Sequence, residues 1–411
     1  MLRRQVQAIE KAFEGHVHPD FEGVAQALSR ILPKEGDGGA AICVFHRGEC
    51  VVDVHAGTRD RTGAPWEADT LALSWSTTKG VLATLLHVWV DRGYAAYDDP
   101  VARYWPEFAT EGKGEITLRQ VLCHEAGLHR LGPLIGHARE MLDWEHMVGV
   151  IEKAQPVRGE GDGPAYHGLT FGWLVGELIQ RIGGSDLASQ VRSELAEPLA
   201  LDGLHLGLTA DLQPRRAEVI ERASEKASAS ETPTAHRRRT LSRALGLHRR
   251  PESRAEAEAA LLPTGFETLD WNAPDFHEVV IPAVNGFFTA RSLASLYARV
   301  CGQGAHPSGA LISSQTRKQA TEIQNDAPGR VIPVAMRWRL GYHSVAIAGG
   351  ESPQAFGHFG LGGSGAWADP ERDLAVALVL NSGMGTPFGD SRIIRVNSAA
   401  VRAADRRALA A

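Results

Sequence analysis

Strand-forming runs lie near both ends of this chain, and the long stretch between them reads as helix and loop. Ala40 to His46 and Cys50 to His55, separated by Arg47-Gly48-Glu49, predict a hairpin. Far downstream, Val334 to Ile347 reads as strand. Gly365 to Ala368 and Leu374 to Asn381 flank Asp369-Pro370-Glu371-Arg372-Asp373 as a second hairpin. The pattern predicts an α+β fold, in which one antiparallel sheet is flanked by helices and a mainly helical domain is inserted between its two halves. The sheet domain is expected to be discontinuous, over 1–105 and 276–411, with the helical domain over 106–275. Apolar positions at helical spacing predict helices within 5–32, from Ser76 onward, and over 171–182, 290–300 and 391–409. A charged, Ala/Ser/Arg-rich insert runs from about 213 to 260. Its basic runs, His236-Arg237-Arg238-Arg239 and His248-Arg249-Arg250, read as a solvated helix or a surface lid, with anion or partner binding as the other reading.

Composition removes several function classes. Of 411 residues, 43% are hydrophobic and 22% charged, as in ordinary globular proteins, and the net charge of −6 offers nucleic acid or an anionic membrane no electrostatic attraction. Gly80 to Val90, the longest strongly apolar stretch, is too short to span a bilayer. The first residues carry no apolar core of a secretory signal, and Cys43, Cys50, Cys123 and Cys301 show no C-x-x-C spacing. They read as buried thiols in a reducing compartment, so a cytoplasmic location is expected.

The sharpest chemical feature is Ser76-Thr77-Thr78-Lys79 at the start of the apolar helix. Residues three apart share a helix face, so hydroxyl and amine point to one place. A serine becomes a nucleophile when a base takes its proton, and a lysine desolvated against an apolar helix can be that base. The helix N-terminus adds free N–H groups for a developing oxyanion. Serine is also an ordinary N-cap. This is, however, the only S-x-x-K in the chain, and it falls at a strand-to-helix turn. Three further segments stand where partners are needed: Tyr166-His167-Gly168 before a helix, His358-Phe359-Gly360 before the glycine-rich Leu361 to Gly365, and Leu118 to Leu128. Alone, each reads as packing or as a turn.

In order and spacing, the set resembles the serine β-lactamase and penicillin-binding-protein superfamily, most of all its class C-like esterase branch, the family VIII carboxylesterases. The resemblance runs from about Ala40 to Asn381. It takes in Leu118 to Leu128, similar to the family's L-L-x-H-x-S-G-L stretch, and Pro282-Ala283-Val284-Asn285-Gly286. It implies that Ser76 is the nucleophile, Lys79 the base or proton shuttle, and Tyr166 the phenolate-like partner that takes the serine proton and returns it to the leaving group. It further implies that the backbone N–H groups of Ser76 and Leu361 form the oxyanion hole, and that His358, Gly360 and Gly168 line the substrate site. Gly168 stands where lactamases carry Asn, and His358 where they carry Lys, which favours a neutral ester over a β-lactam; a protonated His358 could still bind a carboxylate.

The expected activity is hydrolysis of small carboxylic esters through an acyl-enzyme, without metal or cofactor and with a small-molecule substrate as partner. A β-lactamase or D-amino-acid peptidase, an acyltransferase, and a silent scaffold on the same fold are the alternatives. Three other patterns are set aside. His16-Val17-His18-Pro19-Asp20 reads as a surface turn. His124 and His129 are spaced one residue too far for H-E-x-x-H. Gly362-Gly363-Ser364-Gly365-Ala366 precedes a strand, where a nucleophile elbow needs a helix.

Overall fold

A two-residue turn, Arg47-Gly48, closes the first hairpin in the computed structural model, which describes residues 13–32, 38–157, 163–221, 231–247, 251–302, 310–350, 352–383 and 392–410. Both turn residues have positive φ, 52° and 78°, the geometry that matches the twist of the strands it joins. The strands are β1 (Glu14–Val17), β2 (Gly39–His46), β3 (Glu49–Gly57), β4 (Ala72–Leu73), β5 (Leu204–Leu206), β6 (Gly286–Phe288), β7 (His343–Ser344), β8 (Phe356–Phe359), β9 (Gly365–Asp369) and β10 (Leu374–Leu380). Seven form one antiparallel sheet in the order β1-β3-β2-β10-β9-β8-β7. The distant halves of the chain meet where Leu374 to Leu380 pair with His46 to Ala40. Strands β4, β6 and β5 make a second, three-stranded sheet.

Alternation along the central strands sorts the core. Ala40, Ile42, Val44, Val52 and Val54 face one cluster with Val376 and Leu378, closed by helices α1 (Glu22–Ile31) and, at the chain's end, Arg392–Ala410. Ala41, Cys43 and Phe45 face the other cluster. Among the helices that build this second side are α2 (Thr77–Asp91), α3 (Leu118–Leu122), α4 (Thr170–Gly183), α5 (Pro233–Ala244), α6 (Pro251–Leu261) and α7 (Ala290–Cys301); the C-terminal helix is α8 (Arg392–Ala410). Helix α2 is buried on every face from Thr77 to Trp89, as its unbroken apolar run requires.

Several expectations need correction. Within the predicted strand 334–347 only His343–Ser344 form a strand; Ala335 and Trp338 make isolated bridges to Pro328 and Asn325, Gly341 takes φ 78°, and the backbone before it turns repeatedly. Strand β5 lies in the stretch read as helix and loop with little β signal. Leu118 to Leu128, whose sequence reads as a helix ending at a glycine stop, is helical only as far as Leu122, because His124 enters the left-handed region at φ 63°. His16 sits in β1 opposite Asp53, and only His18 belongs to a turn, accepting from the Asp20 N–H at 3.2 Å. The helical pattern within 5–12 and the run His248-Arg249-Arg250 lie outside the described residues. No described helix is long and apolar enough to cross a membrane.

Candidate active site

Strand β4 ends two residues before Trp75, which takes φ 50°, a conformation costly for a bulky side chain. That kink turns the chain into α2 and leaves Ser76 partly exposed at the head of a buried helix. Two neighbours hold it. The Ser74 N–H donates to the Gly286 carbonyl at 2.8 Å, and the Trp75 ring meets Trp271 edge-on with centroids 5.0 Å apart. The far end of β8 closes on the same turn: a Cβ on Gly360 would lie 2.3 Å from the Ser74 carbonyl oxygen, so only glycine fits.

Three sequence-predicted groups meet at one atom. Lys79 Nζ lies 2.8 Å from Ser76 Oγ, and the Tyr166 hydroxyl donates to the same oxygen at 3.0 Å. Lys79 also donates to the Ala283 carbonyl at 3.2 Å. Its burial is complete, and desolvation holds its pKa well below the ordinary amine value, favouring the neutral form. The Tyr166 hydroxyl is pushed the other way: burial raises its pKa, and the bond to Ser76 only partly offsets this. The phenol, not the phenolate, is therefore the resting form. The Tyr166 ring stacks on Trp338 at 9° and 5.7 Å, and His124 packs against it at 4.9 Å. The N–H groups of Ser76, before the first turn of α2, and of Leu361, opening a 3-10 turn, sit where no intrahelical acceptor exists.

The serine opens into a cavity of about 460 Å³. Its walls are mostly apolar, and among the described residues that line it the one charged at neutral pH is Arg254, 55% exposed and bonded to Glu258 at 2.8 Å. His358 belongs to this wall but is only 1% exposed. Burial, aided by His343 and Lys79, drives its pKa well below the usual imidazole value. It is neutral, which removes the expectation that it binds a carboxylate as a cation. Gly168 also lines the cavity. A Cβ there would fall 2.0 Å from Leu261 Cδ2, so a leucine from α6 already fills the space beside Tyr166.

Sequence reading passed over Leu261, Ala283, Trp338 and His124 as site components. The Pro282 to Gly286 stretch was legible as a likeness, but its work is done by backbone: Ala283 O receives the amine, and Gly286 N–H donates to Thr78 Oγ1 at 3.1 Å. Ser364 is structural, accepting from the Leu380 N–H at 3.1 Å. His124 and His129 serve different neighbours, Tyr166 and Glu256.

The β-lactamase family model matches residues 24–401. An esterase/β-lactamase of Mycobacterium tuberculosis, LipL, is 38% identical over 374 residues, spanning 89% of this chain and 82% of its own length. Two solved structures superpose with TM-scores of 0.80. One is a penicillin-binding-protein homologue from Caulobacter crescentus, 31% identical, with 95% of this chain and 99% of that one covered. The other is a family VIII carboxylesterase, 28% identical, with the same coverage.

Proposed function

This chain belongs to the β-lactamase family, and from that premise we propose that it is a serine hydrolase of small, uncharged carboxylic esters. The observation that carries the reading is the convergence of an amine and a phenol on one partly exposed hydroxyl facing a mostly apolar cavity. Neutral Lys79 accepts the proton of Ser76 as Oγ attacks the ester carbonyl. The N–H groups of Ser76 and Leu361 receive the developing oxyanion. Tyr166, still a phenol, donates its proton to the departing alkoxide and is reprotonated from Lys79. Water then attacks the acyl-enzyme by the reverse relay, releasing the acid.

The expected preference for a neutral ester over a β-lactam is supported by two details: Leu261 occupies the space at position 168, and burial favours the neutral form of His358. Ser76→Ala is expected to lower turnover of a nitrophenyl butyrate more than about a hundredfold while leaving the circular dichroism spectrum unchanged. Wild-type rates on that ester, a chromogenic cephalosporin and a D-alanyl peptide rank the alternatives. A faster cephalosporin or peptide rate contradicts the ester assignment, and a Ser76→Ala variant with near-native turnover contradicts the nucleophile.

A further inference from the structure

The cysteines outside the site are not equivalent. Cys43 in β2 is buried and Cys50 in β3 is half-buried, where the sequence suggested that both are buried. Across the hairpin Cys43 faces Asp53 and Cys50 faces Phe45, with an irregularity between Val44 and Phe45 that brings the two sulfurs together. Their Sγ atoms lie 3.8 Å apart, although no C-x-x-C spacing announces the pair. Arg291, on α7, reaches over the same face and its Nε donates to the Asp53 carboxylate. Cys43, Cys50 and Asp53 are the one trio among the described residues whose ligand atoms cluster closely enough for a metal ion. The guanidinium already pairs with that carboxylate, which disfavours a cation there and leaves the two thiols facing each other.

We propose that Cys43 and Cys50 are a redox couple, oxidised by a hydroperoxide to an intrachain disulfide and returned to thiols by a dithiol. The half-buried Cys50 reacts first. Its thiolate attacks a peroxide oxygen, the O–O bond breaks, and the departing oxygen leaves as water or alcohol after taking up a proton; Cys50 becomes a sulfenic acid. Cys43 sulfur then attacks Cys50 sulfur, the S–S bond forms, the S–O bond breaks, and the hydroxide leaves as water with the Cys43 proton. Two thiols have lost two electrons, and the peroxide has gained them. The hydrogen bond to Cys43 lowers the Cys50 pKa, which favours the attacking thiolate, and Cys43 is the more buried resolving thiol. Cys123 and Cys301 supply an internal contrast: both are buried, with pKa values raised by desolvation, that of Cys301 to about 12.

The test treats the whole protein with hydrogen peroxide, blocks remaining thiols, and digests it unreduced with trypsin. Cleavage after Arg47 separates the two cysteines, so a bridge appears as two linked peptides. The expected result is loss of the mass of two hydrogens, a Cys43–Cys50 linked pair, reversal by dithiothreitol, and unchanged alkylation of Cys123 and Cys301. Cys43→Ser is expected to abolish the linked pair and leave Cys50 to take up oxygen. Oxygen uptake at Cys50 in the wild type without linked peptides overturns the proposal. So does full alkylation of all four thiols under conditions that oxidise glutathione. The wild-type peptide map decides the matter even where the variant does not fold.

Discussion

Two glycines set the shape of the cavity for opposite reasons. Gly360 is required by backbone, because the Ser74 carbonyl stands where its side chain would begin. Gly168 is required by a side chain, Leu261, which can in principle move. Gly168→Asn is therefore expected to displace Leu261, at a cost of about 1–3 kcal/mol in packing, and to lower kcat/KM on a butyrate ester about tenfold or more. Adding Leu261→Ala should restore most of that loss, since it removes the clash. Steady-state kinetics of the single and double variants check this, and a double variant no better than the single contradicts the steric account. In sequence, Gly168 was visible as a departure from the lactamase pattern, but what replaced the missing Asn was not. The filler lies more than ninety residues away, one residue past the charged insert, at the end of the helix that closes it.

That insert contributes as an element. One side of α6 presents Ala257 and Leu261 to the cavity, four residues apart and so on one helix face. The helix is pinned by Glu256, whose carboxylate accepts from His129 Nε2 at 2.5 Å, Arg130 Nε at 2.8 Å and an Arg330 nitrogen at 2.6 Å. Despite the opposing cost of burial, these partners lower the Glu256 pKa to about 2. A carboxyl group depressed in the fold contributes stability above its unfolded pKa and loses it as pH falls through its folded value. Glu256→Ala is thus expected to loosen α6, raising KM for the ester several-fold with a smaller change in kcat. It should also remove the part of the acid sensitivity between pH 4.5 and about 2 that belongs to this helix. A change confined to kcat with KM intact argues against the anchoring role. The composition of 213–260 identified a surface segment, but the basic run of its first helix is half-buried and tied into the protein: Arg237 bonds Glu221 at 3.1 Å, Arg238 bonds Glu267 at 2.8 Å and Arg239 bonds Glu231 at 2.8 Å. The cavity-lining role of its second helix depends on a docking geometry that local pattern does not carry.

At the scale of the molecule, a set of histidines is buried in neutral form. His46 and His343 are lowered to about 4, and His87 and His167 to about 3, in each case first by desolvation. A folded pKa below the unfolded value of 6.5 means that the unfolded chain binds more protons, so stability is complete above that value and declines as pH falls through 6.5 toward 3–4. Denaturant midpoints measured from pH 8 to pH 4 are expected to fall steadily below about pH 6.5, and a flat profile over that range contradicts the neutral, buried assignment. The sequence by itself determined the hairpins, the all-buried helix behind Ser76, the S-x-x-K spacing and the order of the motifs, because each rests on periodicity or on neighbours within a turn. It did not determine that Val334 to Ile347 would mostly coil, that Leu261 would stand beside Tyr166, or that two cysteines would meet across a bulge. Those follow from long-range packing, where a strand, a leucine or a thiol takes its partner from whatever the rest of the chain brings alongside, and only the folded structure supplies that neighbour.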